Sequence, residues 1–153
     1  MKRVFCFFTI LIFIFSLSSC GEERNAYSLL SEFIELYSAE GIIYSPEVAE
    51  GKEGYITEDT FRKIYLYYGD APKNYAVFLN SHIDTGSECG VFVCRDESER
   101  AVVSEALCER IRLLCGGDDN GIIITSSYTV FYSTMSDKVL AQSAWERVLR
   151  SRA

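Results

Sequence analysis

Histidine is almost missing from this chain: among its 153 residues there is one, His82. A zinc site built from several histidines is therefore excluded, and any histidine base would have to act from that single position. Basic residues are also scarce, with 15 Lys and Arg against 22 Asp and Glu and a net charge of −7. That balance argues against nucleic acid as a partner, and against a domain lying flat on anionic lipid. No apolar run reaches the roughly 20 residues needed to cross a hydrocarbon core. Internal repeats and low-complexity stretches are lacking as well.

What is present begins at the N-terminus. Lys2 and Arg3 form a positive start, and Val4 to Phe15 is apolar apart from Thr9. Small residues follow at Ser16, Ser18 and Ser19, which is the order of a signal peptide rather than of a buried core helix. The run then stops at "LSSC", Leu17 to Cys20, and turns acidic. This stretch resembles the lipobox of bacterial lipoproteins, an aliphatic residue and two small ones before a cysteine. The resemblance implies a diacylglyceryl group on the Cys20 thiol and cleavage just before it. Ordinary secretion and an uncleaved anchor are the competing readings. Two acyl chains, at about 0.8 kcal/mol per buried methylene, give stable anchoring where one is marginal. The expected organisation is thus a signal peptide over 1–19, the lipidated cysteine and a polar spacer over 20–25, and one extracytoplasmic domain over 26–153. Loss of residues 1–19 removes Lys2 and Arg3 and no acid, which leaves the mature chain at −9.

The mature chain reads as one domain long enough to bury a core. Ala26, Leu29, Leu30, Phe33, Ile34 and Tyr37 make a helical stripe, with Asn25 as its N-cap and Gly41 at its end. Pro46, Gly51 and Gly54 mark a loop, and Ile42 to Tyr44 is a candidate short strand. A second helix starts at Thr57, with acids in its first turn, and stops at Gly69. Its stripe of Phe61, Ile64, Tyr65 and Tyr68 fits core packing, with a sugar-stacking platform as the functional alternative. "NYAVFLNSHI" and "ECGVFVC" read as strands joined by the turn "DTGS". Asp96 and Glu99 form a capping-box start for a helix that buries Val103, Leu107, Ile111 and Leu114 and ends at Gly116-Gly117. "GIIITSSYTVFYST" gives two strands around Ser126-Ser127, or one bent strand. A last helix, capped by Ser136, carries Val139, Leu140, Ala144, Trp145 and Val148. The pattern predicts an α+β, two-layer domain: a mostly antiparallel sheet of about four strands with helices packed on it.

"SECGVFVCRDESERAVVSEALCERI" and "SSYTVFYSTMSDK" together resemble an uncharacterised family of small lipoproteins from Gram-positive anaerobes, a domain of unknown function. The resemblance rests on Glu88 before a strand ending in Phe92, on Leu107 and Arg110 of the following helix, and on Tyr128 and Val130 of a late hairpin. It covers roughly residues 58–140. The chain has Ser126-Ser127 where a glycine is expected in the hairpin turn. The resemblance implies a lipoprotein and assigns no catalytic residue.

Chemistry is harder to find. His82 shares a strand face with Asn80 and Phe78, and a structural histidine fits better than a general base. Cys89 and Cys94 lie about 16 Å apart along one strand and point to opposite faces. Cys108 and Cys115 are about 10 Å apart on one helix. Neither local pair meets the disulfide limit of roughly 7 Å between Cα atoms. One bridge at most can form among the four, a four-cysteine metal cage fails, and free thiols acting as small core residues are the expected state. In "GGDDNG", Asp118, Asp119 and Asn120 offer oxygen ligands, but the spacing departs from the calcium-loop pattern and a solvated turn is expected. Glu22-Glu23 and Glu58-Asp59 belong to the spacer and to a helix start. No cofactor, metal or catalytic residue is therefore assigned. The expected function is a lipid-anchored, non-catalytic binding module on the outer face of the cell membrane. It is held to the membrane through acyl chains on Cys20 and engages a protein, a cell-wall component or a small molecule, not nucleic acid. The alternative is an envelope enzyme with a carboxylate- or thiol-based site.

Overall fold

A computed structural model describes residues 25–65, 67, 69–72, 74–81, 87–116 and 120–151. The signal segment, Cys20, Tyr68, His82, and Asp118 with Asp119 lie outside the described residues.

The elements are α1 (Ala26–Tyr37), β1 (Gly41–Tyr44), α2 (Glu58–Tyr65), β2 (Asn74–Asn80), β3 (Glu88–Val93), α3 (Glu97–Leu114), β4 (Ile122–Ser126), β5 (Thr129–Ser133) and α4 (Lys138–Arg150). The strands form one five-stranded sheet in the order β1-β2-β3-β5-β4, antiparallel throughout. The predicted α+β class with an antiparallel sheet is what the molecule adopts, and the candidate strand at Ile42 to Tyr44 is its fifth, edge member. The helices do not gather in one layer. α1 and α4 cover one face and α2 and α3 the other, so the sheet lies between two layers of helix and two separate cores.

Strand alternation sorts the side chains between those cores. Ala76, Phe78, Cys89, Val91 and Phe131 meet α1 and α4 on one face. Tyr75, Val77, Phe92, Val130 and Tyr132 meet α2 and α3 on the other. We refer to these as the apolar face and the tyrosine face.

Local details depart from expectation at several ends. Asn25 does cap α1, its side chain accepting from the Ser28 amide at 3.1 Å. The helix stops at Ser38, which takes the left-handed conformation (φ 60°), rather than at Gly41. Gly41 is needed for a different reason: it opens β1, and a Cβ there would lie 2.2 Å from the Leu79 carbonyl oxygen. α2 ends at Tyr65, short of Gly69. The segment does form two strands, with β4 ending at Ser126 and the turn at Ser127 and Tyr128. Ser127 sits in the turn at φ 50°, and its carbonyl accepts from Arg100 at 2.7 Å. α4 is capped by Asp137 rather than Ser136 and buries Ala141, Ala144, Trp145 and Val148. Val139 and Leu140, expected on the buried side, are 80% and 42% exposed.

Candidate functional site

Among the described residues, the tyrosine face contains the one constellation with chemical content that spans several elements. It lies where the end of α2 and the last turns of α3 close over the sheet. Glu88, the first residue of β3, projects onto this face and is buried. A buried carboxylate must be compensated, because desolvating an unpaired charge costs several kcal/mol. Arg110 of α3 supplies the compensation in a two-pronged contact: its Nε reaches Glu88 Oε1 at 2.8 Å and its Nη2 reaches Oε2 at 2.7 Å. Planar guanidinium against planar carboxylate is the geometry that makes such a pair strong.

Two phenols extend the network. The Tyr132 hydroxyl donates to Glu88 Oε1 at 2.7 Å. The Tyr65 and Tyr132 hydroxyls are 2.6 Å apart. Since Tyr132 has one proton and gives it to the carboxylate, Tyr65 is the donor in that second bond. Tyr65 also lies beneath Arg110, whose guanidinium carbon is 5.5 Å from the ring centroid, within cation–π range. The Nη1 of Arg110 donates to the Ile64 carbonyl at 3.4 Å, placing positive charge at the C-terminal end of α2.

Sequence explains why Tyr132 fits. The sheet register sets Val77, Gly90, Tyr132 and Ile123 in one row across four strands. A Cβ on Gly90 would come within 2.7 Å of the Tyr132 ring and 3.0 Å of the Ala76 carbonyl oxygen. Gly90 thus makes the space in which the Tyr132 ring lies, and that places its hydroxyl on Glu88.

Electrostatics favour the protonated forms of Arg110 and of the two phenols. The hydrogen bonds to Glu88 raise Arg110 far above its ordinary value. Burial raises both Tyr65 and Tyr132 well above the usual phenol range, with the Glu88 charge adding to it. Both carboxylate oxygens are occupied by donors, so the cluster joins α3, β3 and β5 through side-chain contacts.

Tyr65 also forms part of two cavities. One, of about 300 Å³, runs toward the β1–β2 edge past Tyr44, Tyr55, Ile64, Val77 and Leu79. The other, of about 450 Å³, lies against Tyr67, Gly69, Val102, Glu105 and Glu109. A third cavity, of about 300 Å³, lies between the end of α1 and the β5–α4 connection and is lined by none of the four residues of this cluster.

The residues singled out from sequence take varied places. Phe61 and Tyr65 are buried core residues, which is the packing reading of the aromatic stripe; Tyr68 is outside the described residues. All four domain cysteines are free thiols. Cys89 lies on the apolar face and Cys94 on the tyrosine face, as their spacing predicts. Burial pushes the Cys89 thiol well up and, with the Glu99 carboxylate nearby, the Cys94 thiol to about 12. Cys108 is exposed and Cys115 half-buried, so they are not the small core residues expected of all four. Glu58 and Asp59 pair with Arg62 and Lys63 one turn on, as surface charges of a helix start. Among the described residues no three His, Cys, Asp or Glu side chains converge to hold a metal ion, and no helix is long and apolar enough to cross a membrane.

Sequence reasoning had Glu88 and Arg110 as parts of a resemblance and missed their pairing. A signal existed. Glu88 opens an otherwise apolar strand, and Arg110 stands next to Ile111 and three residues after Leu107, on the flank of the buried stripe. Two opposite charges bordering core segments imply each other.

Fold and site together define an α+β antiparallel sandwich whose sheet is locked to the helices of one face by a neutralised ion pair. Comparison with family models, with curated proteins and with solved structures finds no match to this chain.

Proposed function

We propose that the chain is a bacterial lipoprotein, anchored at the outer face of the cell membrane through a diacylglyceryl group on Cys20, and that its domain is a non-catalytic binding module. One observation carries the reading: a basic start, a twelve-residue apolar core and Leu-Ser-Ser-Cys follow each other directly, and the helix that opens the domain begins at Ala26, six residues beyond Cys20. Membership of the small-lipoprotein family of Gram-positive anaerobes belongs to the same proposal. Binding is favoured over catalysis because the charged groups that meet in the interior neutralise one another, and Glu88 has both oxygens engaged. Cys89 and Cys94 are buried and shifted upward, so neither is placed to serve as the accessible, low-pKa thiol of an enzyme. The test is intact-mass analysis and clickable-palmitate labelling of the full chain in bacterial cells, beside Cys20→Ser. The expected native form starts at residue 20, is acylated and sediments with membranes, and the variant loses both label and membrane association. An unmodified Cys20 thiol, or a leader still attached, overturns the proposal.

A further inference from the structure

The sandwich has two poles, and the antiparallel register sorts its residues between them. Asn74, Val93, Thr129 and Ser126 form one transverse row. Asn25 belongs to this near pole: the amide next to it, on Ala26, donates to Asn74 Oδ1 at 2.7 Å, and its own Nδ2 donates to Glu47 at 2.6 Å. At the opposite, far pole lie the end of α1, Gly41, Asn80, Glu88, Ser133 and Ile122. α3 starts just after Val93 and runs to the far pole; its 18 residues span about 27 Å at 1.5 Å per residue.

The tether is shorter than that. Five Cα steps separate Cys20 from Asn25, a reach of at most about 18 Å when fully extended. Turning the far pole toward the bilayer would lift Asn25 about 27 Å above it, beyond that reach. We propose that the lipid tether gives the domain a fixed polarity: the near pole, with the 46–55 loop and the β4–β5 turn, is apposed to the lipid headgroups, and the far pole points away from them. This inference rests on the anchor at Cys20. The far pole holds the third cavity, whose walls include Tyr37, Ser38, Glu40, Asn80, Met135 and Ser136. Inversion is the orientation the tether excludes, so that cavity does not open squarely against the bilayer. The polarity comes from chain length rather than charge, so it persists at high salt, where adhesion by surface charge would be screened.

The test uses the acylated full chain with Cys108 and Cys115 replaced by serine. A single fluorophore is attached through Glu50→Cys at the near pole or Glu40→Cys at the far pole. Each protein is reconstituted into phosphatidylcholine vesicles carrying a nitroxide-headgroup lipid. The near-pole label is expected to lose most of its emission and the far-pole label little, at low and high salt alike. A Gly/Ser insert of about twenty residues after Gly21, adding roughly 25 Å of reach, should bring the two labels toward equal quenching. Equal quenching at native tether length overturns the polarity while leaving the anchor intact. Protein that fails to float with the vesicles overturns the anchor, and the polarity with it.

Discussion

The two faces of the sheet both bury aromatic rings, by different means. On the apolar face Phe131 stacks on Trp145 with centroids 4.4 Å apart and tilts against Phe33 at 4.8 Å, and the contacts among these three rings are hydrocarbon. On the tyrosine face Phe61 packs on Tyr75 at 4.2 Å and Tyr65 meets Tyr132 edge-on at 6.1 Å, around a buried ion pair. Dispersion and burial stabilise both faces without preferring one partner over another. The hydrogen-bonded cluster is geometrically stricter. Glu88 accepts only where Arg110 and Tyr132 can reach it, which fixes α3 against β3 and β5, while the Arg110 contact to Ile64 fixes the end of α2. The difference teaches that one face supplies bulk stability, and the other supplies register between helix and sheet.

The strongest way to break this comparison is Arg110→Ala. It leaves a buried carboxylate uncompensated and should cost about 3–5 kcal/mol in urea unfolding, with the tyrosine face loosening first. A double change of Glu88 and Arg110 to methionine sharpens the point, since replacing both partners by apolar groups of similar volume is often close to neutral. The double variant is expected to be more stable than Arg110→Ala, yet to show weaker near-UV dichroism from Tyr65 and Tyr132 as their geometry relaxes. A double variant no more stable than the single one would mean that the pair contributes bulk stability after all.

Next in size is a hydroxyl exchange between neighbours on β5 that face opposite ways. Tyr132→Phe removes a hydrogen bond to Glu88 and leaves the Tyr65 hydroxyl without its acceptor. Phe131→Tyr places a hydroxyl among Trp145, Phe33 and their apolar neighbours. Each should cost on the order of 1–3 kcal/mol, one for a lost partner and the other for a hydroxyl forced into a close-packed stack of rings. A neutral Phe131→Tyr, measured by thermal or urea unfolding, would show that the apolar face can accommodate polarity and would erase the contrast.

Periodicity carried much of the fold. The stripes of Ala26, Leu29, Leu30 and Phe33, and of Val103, Leu107 and Ile111, are buried as their spacing requires. What spacing could not say is which face of the sheet each helix takes, because strands buried on both faces read as continuous apolar runs. β2 and β3 are such strands, with Tyr75 to Phe78 and Glu88 to Phe92 buried without a break. Helix ends were less legible, since Ser38 and Asp137 could serve as caps as well as the residues expected there. Val139 and Leu140 misled for a related reason: starting the stripe one turn early gives an apolar face that the Ala141–Ala144–Trp145–Val148 face replaces. The Glu88–Arg110 pair was visible only as two charges; their contact joins positions 22 apart, and no local rule links such a separation.

The smallest expected effect lies outside both faces and provides a reference for measuring them. β4 and β5 are joined by Ser127 and Tyr128, with Ser126 paired to Thr129. Two-residue hairpin loops favour glycine at a first central position of positive φ, and Ser127 sits there at 50°. A left-handed non-glycine residue costs about 1–2 kcal/mol, partly offset in glycine by the extra freedom of its unfolded chain. Ser127→Gly should therefore stabilise the domain by about 0.5–1 kcal/mol. Its backbone carbonyl, the acceptor for Arg100, is retained, so that contact survives. Because the change touches neither Trp145 nor Glu88, its gain should add to the loss from Arg110→Ala and to that from Phe131→Tyr by the same amount. A gain that appears in one background and vanishes in the other would mean that the hairpin is coupled to a single face, and that the two cores do not respond independently.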